Sequence, residues 1–335
     1  METVVPQLAP EVLVQMHEHM LTTRLVEERT IAMWKSGHGY FWIGGPGEEA
    51  FNVPLGMLVH KGEGPLYDYL HMHYRSNGVV LAMGEDPIHI LRQMKNTATD
   101  PYSGGRNFVS HCSIRKWNVV PISSPIEVQY TMAPGTAIAQ KRAGGRGITI
   151  VTGGDAGTAE GDFACSLVWS SRPANELPLL IVVTNNRYGI STPYEQQHGE
   201  PRIADRGRAF GMRCATINGN DPELTYHALQ AAMEYVRNER KPYLLEAMVS
   251  RLYTHSSATG ANYVQGEVDC LVEFEKKLEA RGVLTRAEMD DKRQRIYDRL
   301  QELARQVIQE PQPEGRDAFK YIYADRDVVG ESAGV

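Results

Sequence analysis

A chain of 335 residues with 42% hydrophobic and 23% charged side chains can bury a full core, as one large or two small domains. Its net charge of −6 excludes a general nucleic-acid or polyanion binder. No apolar run approaches a membrane span, no basic start precedes an apolar core at the N-terminus, and Cys112, Cys165, Cys214 and Cys270 form no C-x-x-C pair, so a cytoplasmic protein with reduced thiols is predicted.

Residues 1–10 read as an arm. From Glu11 to Ser36 the apolar positions Val12, Met16, Met20, Leu25, Ile31 and Met33 keep approximate helical spacing, and Gly37-His38-Gly39 ends it. The aromatic trio Tyr40-Phe41-Trp42 suits either a core or a pocket wall. It leads into Gly47-Glu48-Glu49-Ala50, and further on comes Tyr74-Arg75-Ser76-Asn77-Gly78. His71 and His73 alternate like strand residues, but no third metal ligand is in view. Arg75 offers a fork suited to phosphate, or to a solvated surface. Asp86–Lys95 predicts an amphipathic helix, Ser103–Cys112 a Gly- and Ser-rich loop, and Ala133–Arg142 a helix of small residues. Between the last two lies Ser123-Ser124-Pro125-Ile126-Glu127-Val128-Gln129.

The chain is organised around 148–192. Two short apolar runs, Ile148–Val151 and Leu179–Val183, break into turns, and a helix over Gly161–Ser170 lies between them. This is a βαβ unit with strands buried on both faces. Asp155 and Asn186 each follow a strand's carboxyl end, where open α/β sheets bind ligands. The glycines beside Asp155 let N–H groups approach a phosphate, and a helix N-terminus follows. Asp155 would repel a bare diphosphate, and a divalent cation between them resolves the conflict. The stretch therefore suggests a Mg²⁺-diphosphate cradle. A dinucleotide-type turn fits poorly, because the order is Gly154-x-x-Gly157-x-x-x-Gly161. Ordinary turn polars would explain Asp155 or Asn186 singly more readily than both.

Pro193–Arg208 reads as a polar loop and Arg213–Ile217 as a short strand. Asp221 caps a helix opened by Pro222 and running to Arg240, and Tyr243–Val249 is a strand. His255 follows its carboxyl end and is the best general acid/base candidate among the eleven histidines, against the plainer reading of an exposed loop residue. Glu267–Glu310 is helical with a break at Gly282, restarted by the capping box Thr285-x-x-Glu288. The prediction is an α/β fold with a mostly parallel open sheet flanked by helices. Residues 1–265 form its domain with an N-terminal helical arm, and 266–335 a helical C-terminal extension and tail of the same domain.

The sequences G-D-A-G-T-A-E-G-D-F (Gly154–Phe163) and N-N-R-Y-G-I-S-T (Asn185–Thr192) resemble the thiamine diphosphate motif. With G-E-E-A, Y-R-S-N-G and R-L-Y-T-H-S (Arg251–Ser256), they resemble the alpha subunit of the decarboxylating first component of 2-oxo acid dehydrogenase complexes, over residues 12–310. The branched-chain (2-oxoisovalerate) type is the nearest. The resemblance implies a thiamine diphosphate-binding fold. It also implies Mg²⁺ held by Asp155, Asn186 and the Tyr188 carbonyl, and cofactor contacts from Tyr74, Arg75, Ser124, Ile126, Gly154, Ala156, Gly157, Glu160 and His255. It implies a substrate pocket around Phe41, Trp42, Tyr74 and Ile126, with His255 acting near the substrate carbonyl. The implied reaction is oxidative decarboxylation of a 2-oxo acid with acyl transfer to a lipoyl-bearing acyltransferase component. A separate beta subunit supplies the catalytic Glu in an alpha₂beta₂ heterotetramer. Neither nucleic acid nor membrane is expected as a partner. Branched-chain members read S-S-P-L-A-T-Q where this chain has S-S-P-I-E-V-Q, so Val128 removes a hydroxyl ligand from a potassium (K⁺) site. Ala156 stands for a Gly, Thr254 for a His of some members, and Thr259–Asn262 replaces an acidic pair. A pyruvate- or acetoin-cleaving relative, or a non-catalytic subunit that has kept the pocket, would share these features.

Overall fold

The computed structural model describes residues 7–320; the Tyr321-Ile322-Tyr323 tail, expected to pack on a partner, lies outside the described residues. In chain order the strands are β1 (Tyr69–His71), β2 (Thr149–Gly154), β3 (Leu179–Asn185), the short hairpin pair β4 (Tyr188–Gly189) and β5 (Thr192–Pro193), β6 (Arg213–Asn218) and β7 (Tyr243–Met248). The main sheet runs β1-β2-β3-β7-β6, with every neighbour parallel. All residues of β2 and β3 are buried, as expected for central parallel strands covered on both faces. Alternation along β3 sorts its side chains: Leu180 and Val182 enter one core, Leu179, Ile181 and Val183 the other. Each such burial contributes roughly 1.5–3 kcal/mol.

Helices α2 (Glu49–Leu58), α3 (Asn77–Ala82) and α8 (Pro222–Glu239) cover the first face, and α5 (Val128–Ala143) and α6 (Gly161–Ser170) the second. A third core joins α1 (Pro10–Lys35) and α4 (Pro87–Lys95) with the C-terminal helices α9 (Cys270–Ala280) and α10 (Arg286–Gln309). The N-terminal helix and the C-terminal extension are thus two parts of one packed layer. Arg24 of α1 locks it, pairing at 2.7 Å with both Glu49 of α2 and Asp269, the N-cap of α9.

Three segments differ from the sequence expectation. Helix α5 begins at Val128, not Ala133, and carries Pro134 inside it. The early start is held by Tyr130, fully buried against Phe163 and donating its hydroxyl to the Val182 carbonyl at 2.7 Å. The segment 193–208 is not loop throughout: it contains the end of β5, a 3-10 turn at Tyr194–Gln196 and most of α7 (Ala204–Ala209). Buried Tyr194, Ile203 and Ala204 anchor it, a signal too sparse for periodicity to reveal. Helix α9 starts at Cys270, three residues after the expected Glu267, because Asp269 accepts the N–H groups of Leu271 and Val272.

Candidate active site

The parallel register of β2 and β3, with Gly154 opposite Thr184, brings their carboxyl ends to one edge. Asp155 and Asn186 follow directly, and both side chains are buried. Asp155 Oδ2 has no hydrogen-bond partner. Burial raises the Asp155 pKa above its ordinary value, with Arg75 opposing the shift. Asn186 Oδ1 accepts the Tyr188 N–H at 3.1 Å, which turns the β4 loop back toward the strand end.

A cavity of about 260 Å³ opens beside this edge. Of the residues expected at the site, Tyr74, Arg75, Ile126, Gly154, Asp155, Ala156, Gly157, Glu160, Tyr188 and His255 line it. Asn186 does not line it and instead faces a second cleft, which Tyr188 shares. Phe41, Trp42 and Ser124, like Asn186, are not among the lining residues. Phe41 packs edge-on to Phe108, and Ser124 is exposed. Trp42 is buried, with its indole N–H donated to Glu27 at 3.1 Å. Its main-chain N–H donates to Ser257 Oγ at 3.0 Å, so Trp42 tethers the loop that carries His255. The H-x-H pair is spent on hydroxyls: His71 meets Thr136 at 2.9 Å and His73 meets Thr152 at 2.8 Å.

Arg75 sits in the turn between β1 and α3, its guanidinium buried and stacked 5.1 Å from the Tyr74 ring centre. Its Nε lies 2.5 Å from Glu48 Oε1, and Nη1 donates to the Tyr74 hydroxyl at 2.9 Å. Nη2 has no hydrogen-bond partner and faces the glycine turn; a methyl group on Gly154 would come within 2.5 Å of it. Burial works against the Arg75 charge, but Glu48, Tyr74, Asp155 and Glu127 together hold its pKa above the ordinary value. A fixed positive charge with a free donor thus faces the same turn as the unpartnered Asp155 oxygen. Burial with two unmet polar groups is costly unless a ligand completes them. An anion bridged to Asp155 by a cation would satisfy both.

His255 lies in the loop after β7, edge-on to Tyr74 with ring centres 5.9 Å apart. Burial, then Arg75 and Arg251, lower its pKa to about 4, so the imidazole is neutral at physiological pH. The residues that depart from the family pattern order this loop. Thr259 and Ser256 form a reciprocal capping box, and Thr254 Oγ1 donates to the Thr259 carbonyl at 3.1 Å. Thr254 N–H donates to the Asn262 carbonyl at 2.9 Å. Arg251 donates to the Ile190 carbonyl at 2.7 Å and lies over the Tyr188 ring, linking this loop to the other rim of the cavity.

Sequence reasoning missed Gln197, Ile190 and, most consequentially, Glu127, all of which line the cavity. Burial pushes the Glu127 carboxyl up to about 8, with the Gly154 N–H and Arg75 pulling the other way. The available signal was a Glu in S-S-P-I-E-V-Q at the place where branched-chain sequences carry Ala.

The profile of the family described as Dehydrogenase E1 component matches residues 17–315. The chain belongs to that family, and membership carries dependence on thiamine diphosphate. It is 30% identical over 323 residues to the 2-oxoisovalerate dehydrogenase subunit alpha of Bacillus subtilis, covering 93% of this chain and 95% of that one. It is 27% identical to a mitochondrial 2-oxoisovalerate dehydrogenase subunit alpha 2 of Arabidopsis thaliana, covering 95% of this chain and 67% of that one. The corresponding human alpha subunit is 26% identical, covering 76% of this chain and 55% of that one.

Proposed function

We propose that the chain is the alpha subunit of a branched-chain 2-oxo acid dehydrogenase, holding thiamine diphosphate through Mg²⁺ at the carboxyl ends of β2 and β3. The observation that carries this reading is the pairing of two unmet buried groups, Asp155 Oδ2 and Arg75 Nη2, across one glycine turn. The donor set suits the group: a carboxylate, an amide oxygen and a main-chain carbonyl for Mg²⁺, and a guanidinium with main-chain N–H groups for phosphate. Asp155, Asn186 and the Tyr188 carbonyl would hold the metal. Arg75, Tyr74 and the Gly154–Gly157 turn would hold the diphosphate. When bound, thiamine diphosphate supplies the nucleophilic carbon and the electron sink for decarboxylation.

The protein's part is orientation, charge neutralisation and exclusion of water. Neutral His255, held over the cavity by the Thr254–Thr259 contacts, can donate or accept a proton at the substrate carbonyl oxygen. Exposed Ile126 and the Tyr74 ring supply apolar wall for an aliphatic 2-oxo acid. The exposed Ile126, Tyr188 and Ile190 at the cavity mouth suit cover by a beta subunit in an alpha₂beta₂ assembly that a lipoyl-bearing acyltransferase visits. Val128 has no side-chain oxygen to offer a potassium ion, and none is assigned.

Turnover tests the reading. The chain co-expressed with its beta subunit, given thiamine diphosphate, Mg²⁺ and an artificial electron acceptor, should prefer 3-methyl-2-oxobutanoate to pyruvate and acetoin. Turnover should vanish in Asp155→Ala and fall by about 10²-fold or more in His255→Ala. Preference for pyruvate or acetoin would reassign the substrate. No turnover on any of the three, with cofactor bound, would move the chain to a non-catalytic role.

A further inference from the structure

The glycine turn that the cofactor reading assigns to a phosphate already holds a carboxyl group. Glu127 reaches into it from the residue before α5. Its Oε1 lies 3.3 Å from the Gly154 nitrogen, whose N–H it accepts, and its Oε2 accepts from Gln129 Nε2 at 3.0 Å. A methyl group on Gly157 would overlap the Glu127 carboxylate and Cγ, and one on Gly153 would overlap Oε2. The bareness of these two glycines is what gives the carboxylate its room.

Two further features mark the position. Glu127 has φ 64°, a left-handed conformation that costs a non-glycine residue of order 1 kcal/mol or more and is enriched at ligand clamps and switches. The side chain is also buried without an ion pair among the described residues, beside an Arg75 whose Nη2 stays unpartnered. Local stability alone favours neither feature. An alanine here would avoid the buried acid.

We propose that Glu127 is an internal occupant of the phosphate seat: its carboxyl group fills the Gly153–Gly157 turn of the cofactor-free chain, must leave it for a diphosphate to enter, and thereby sets how tightly and how fast that cofactor is held. The inference rests on the thiamine diphosphate reading of this turn. Its physical basis is competition. A phosphate and a carboxyl group cannot share one N–H donor and one volume. The opening cost is subtracted from the cofactor's binding free energy, as for any ligand whose receptor is competent only part of the time.

Calorimetric titration of the co-expressed alpha-beta assembly with thiamine diphosphate in Mg²⁺ tests this without reference to turnover, and stopped-flow quenching of tryptophan fluorescence gives the rates. Glu127→Ala should bind at least about tenfold more tightly than wild type, with most of the gain in the association rate. Glu127→Gln, which keeps the volume, should bind close to wild type, and Glu127→Ser, a second small residue, should match the Ala variant and guards against a misfolded one. Wild-type binding that equals or exceeds both small-residue variants overturns the inference while leaving the cofactor reading intact. If neither wild type nor variants bind, the cofactor reading falls and takes the inference with it.

Discussion

Two buried carboxyl groups, Asp155 and Glu27, illustrate how surroundings divide similar chemistry into different tasks. Asp155 keeps one oxygen unmet and faces a cavity, whereas Glu27 has both oxygens engaged. Asn77 Nδ2 donates to Glu27 Oε1 at 2.9 Å and Trp42 Nε1 to Oε2 at 3.1 Å, so Glu27 braces the 40–50 segment rather than a ligand. Burial raises its pKa from 4.5 to about 7, with these hydrogen bonds opposing. A carboxyl raised in the folded state keeps a proton that the unfolded chain has released. Stability is therefore fully present below pH 4.5 and is lost as pH rises through 7, by up to roughly 3 kcal/mol. Glu27→Gln removes that titration. Urea unfolding at pH 5 and pH 8 should show a smaller difference in the variant than in wild type, and an equal difference would show that Glu27 does not carry the proton. Residue identity alone could not separate these roles: Glu27 sits in an ordinary amphipathic helix pattern, and its partners come from the loop before α2 and the start of α3. Glu127 was hidden for the same reason, because its meaning depends on a turn that follows α5 and β2.

Among the elements, those with one strong local cause were legible and those held by tertiary contacts were not. Strands β2 and β3 announce themselves as apolar runs that must be buried on both faces, and α8 and α10 carry their own caps at Asp221 and Thr285. The start of α5 and the helix inside 193–208 depend on Tyr130 and Ile203 meeting cores built elsewhere in the chain. The α1-α2-α9 junction also belongs at this scale. Asp269 both caps α9 and supplies one of the two carboxylates around buried Arg24. Asp269→Ala removes a cap, worth about 1 kcal/mol, and half the counter-charge of a buried guanidinium. A loss of about 2–4 kcal/mol of unfolding free energy is expected, with Asp269→Asn retaining the cap share. A loss below 0.5 kcal/mol in the Ala variant would mean that Glu49 alone satisfies Arg24.

For the whole molecule, sheet order converts sequence separation into proximity. The neighbouring strands β2 and β3 put Asp155 and Asn186 at one edge, the β1 turn brings Arg75 beneath them, and the loop after β7 brings His255 to the rim. This convergence was legible from the two strand ends and the family resemblance, whereas the displacement of Trp42 from the pocket to the core was not. The central claim is that Asp155 and Arg75 are the two halves of a metal-bridged anion site. Thiamine diphosphate titration of the alpha-beta assembly, with Mg²⁺ and again with the metal chelated, tests it most directly. The account predicts saturable binding with Mg²⁺ that is lost on chelation and lost in Asp155→Ala. Binding of equal strength without the metal, or in Asp155→Ala with it, would contradict the account.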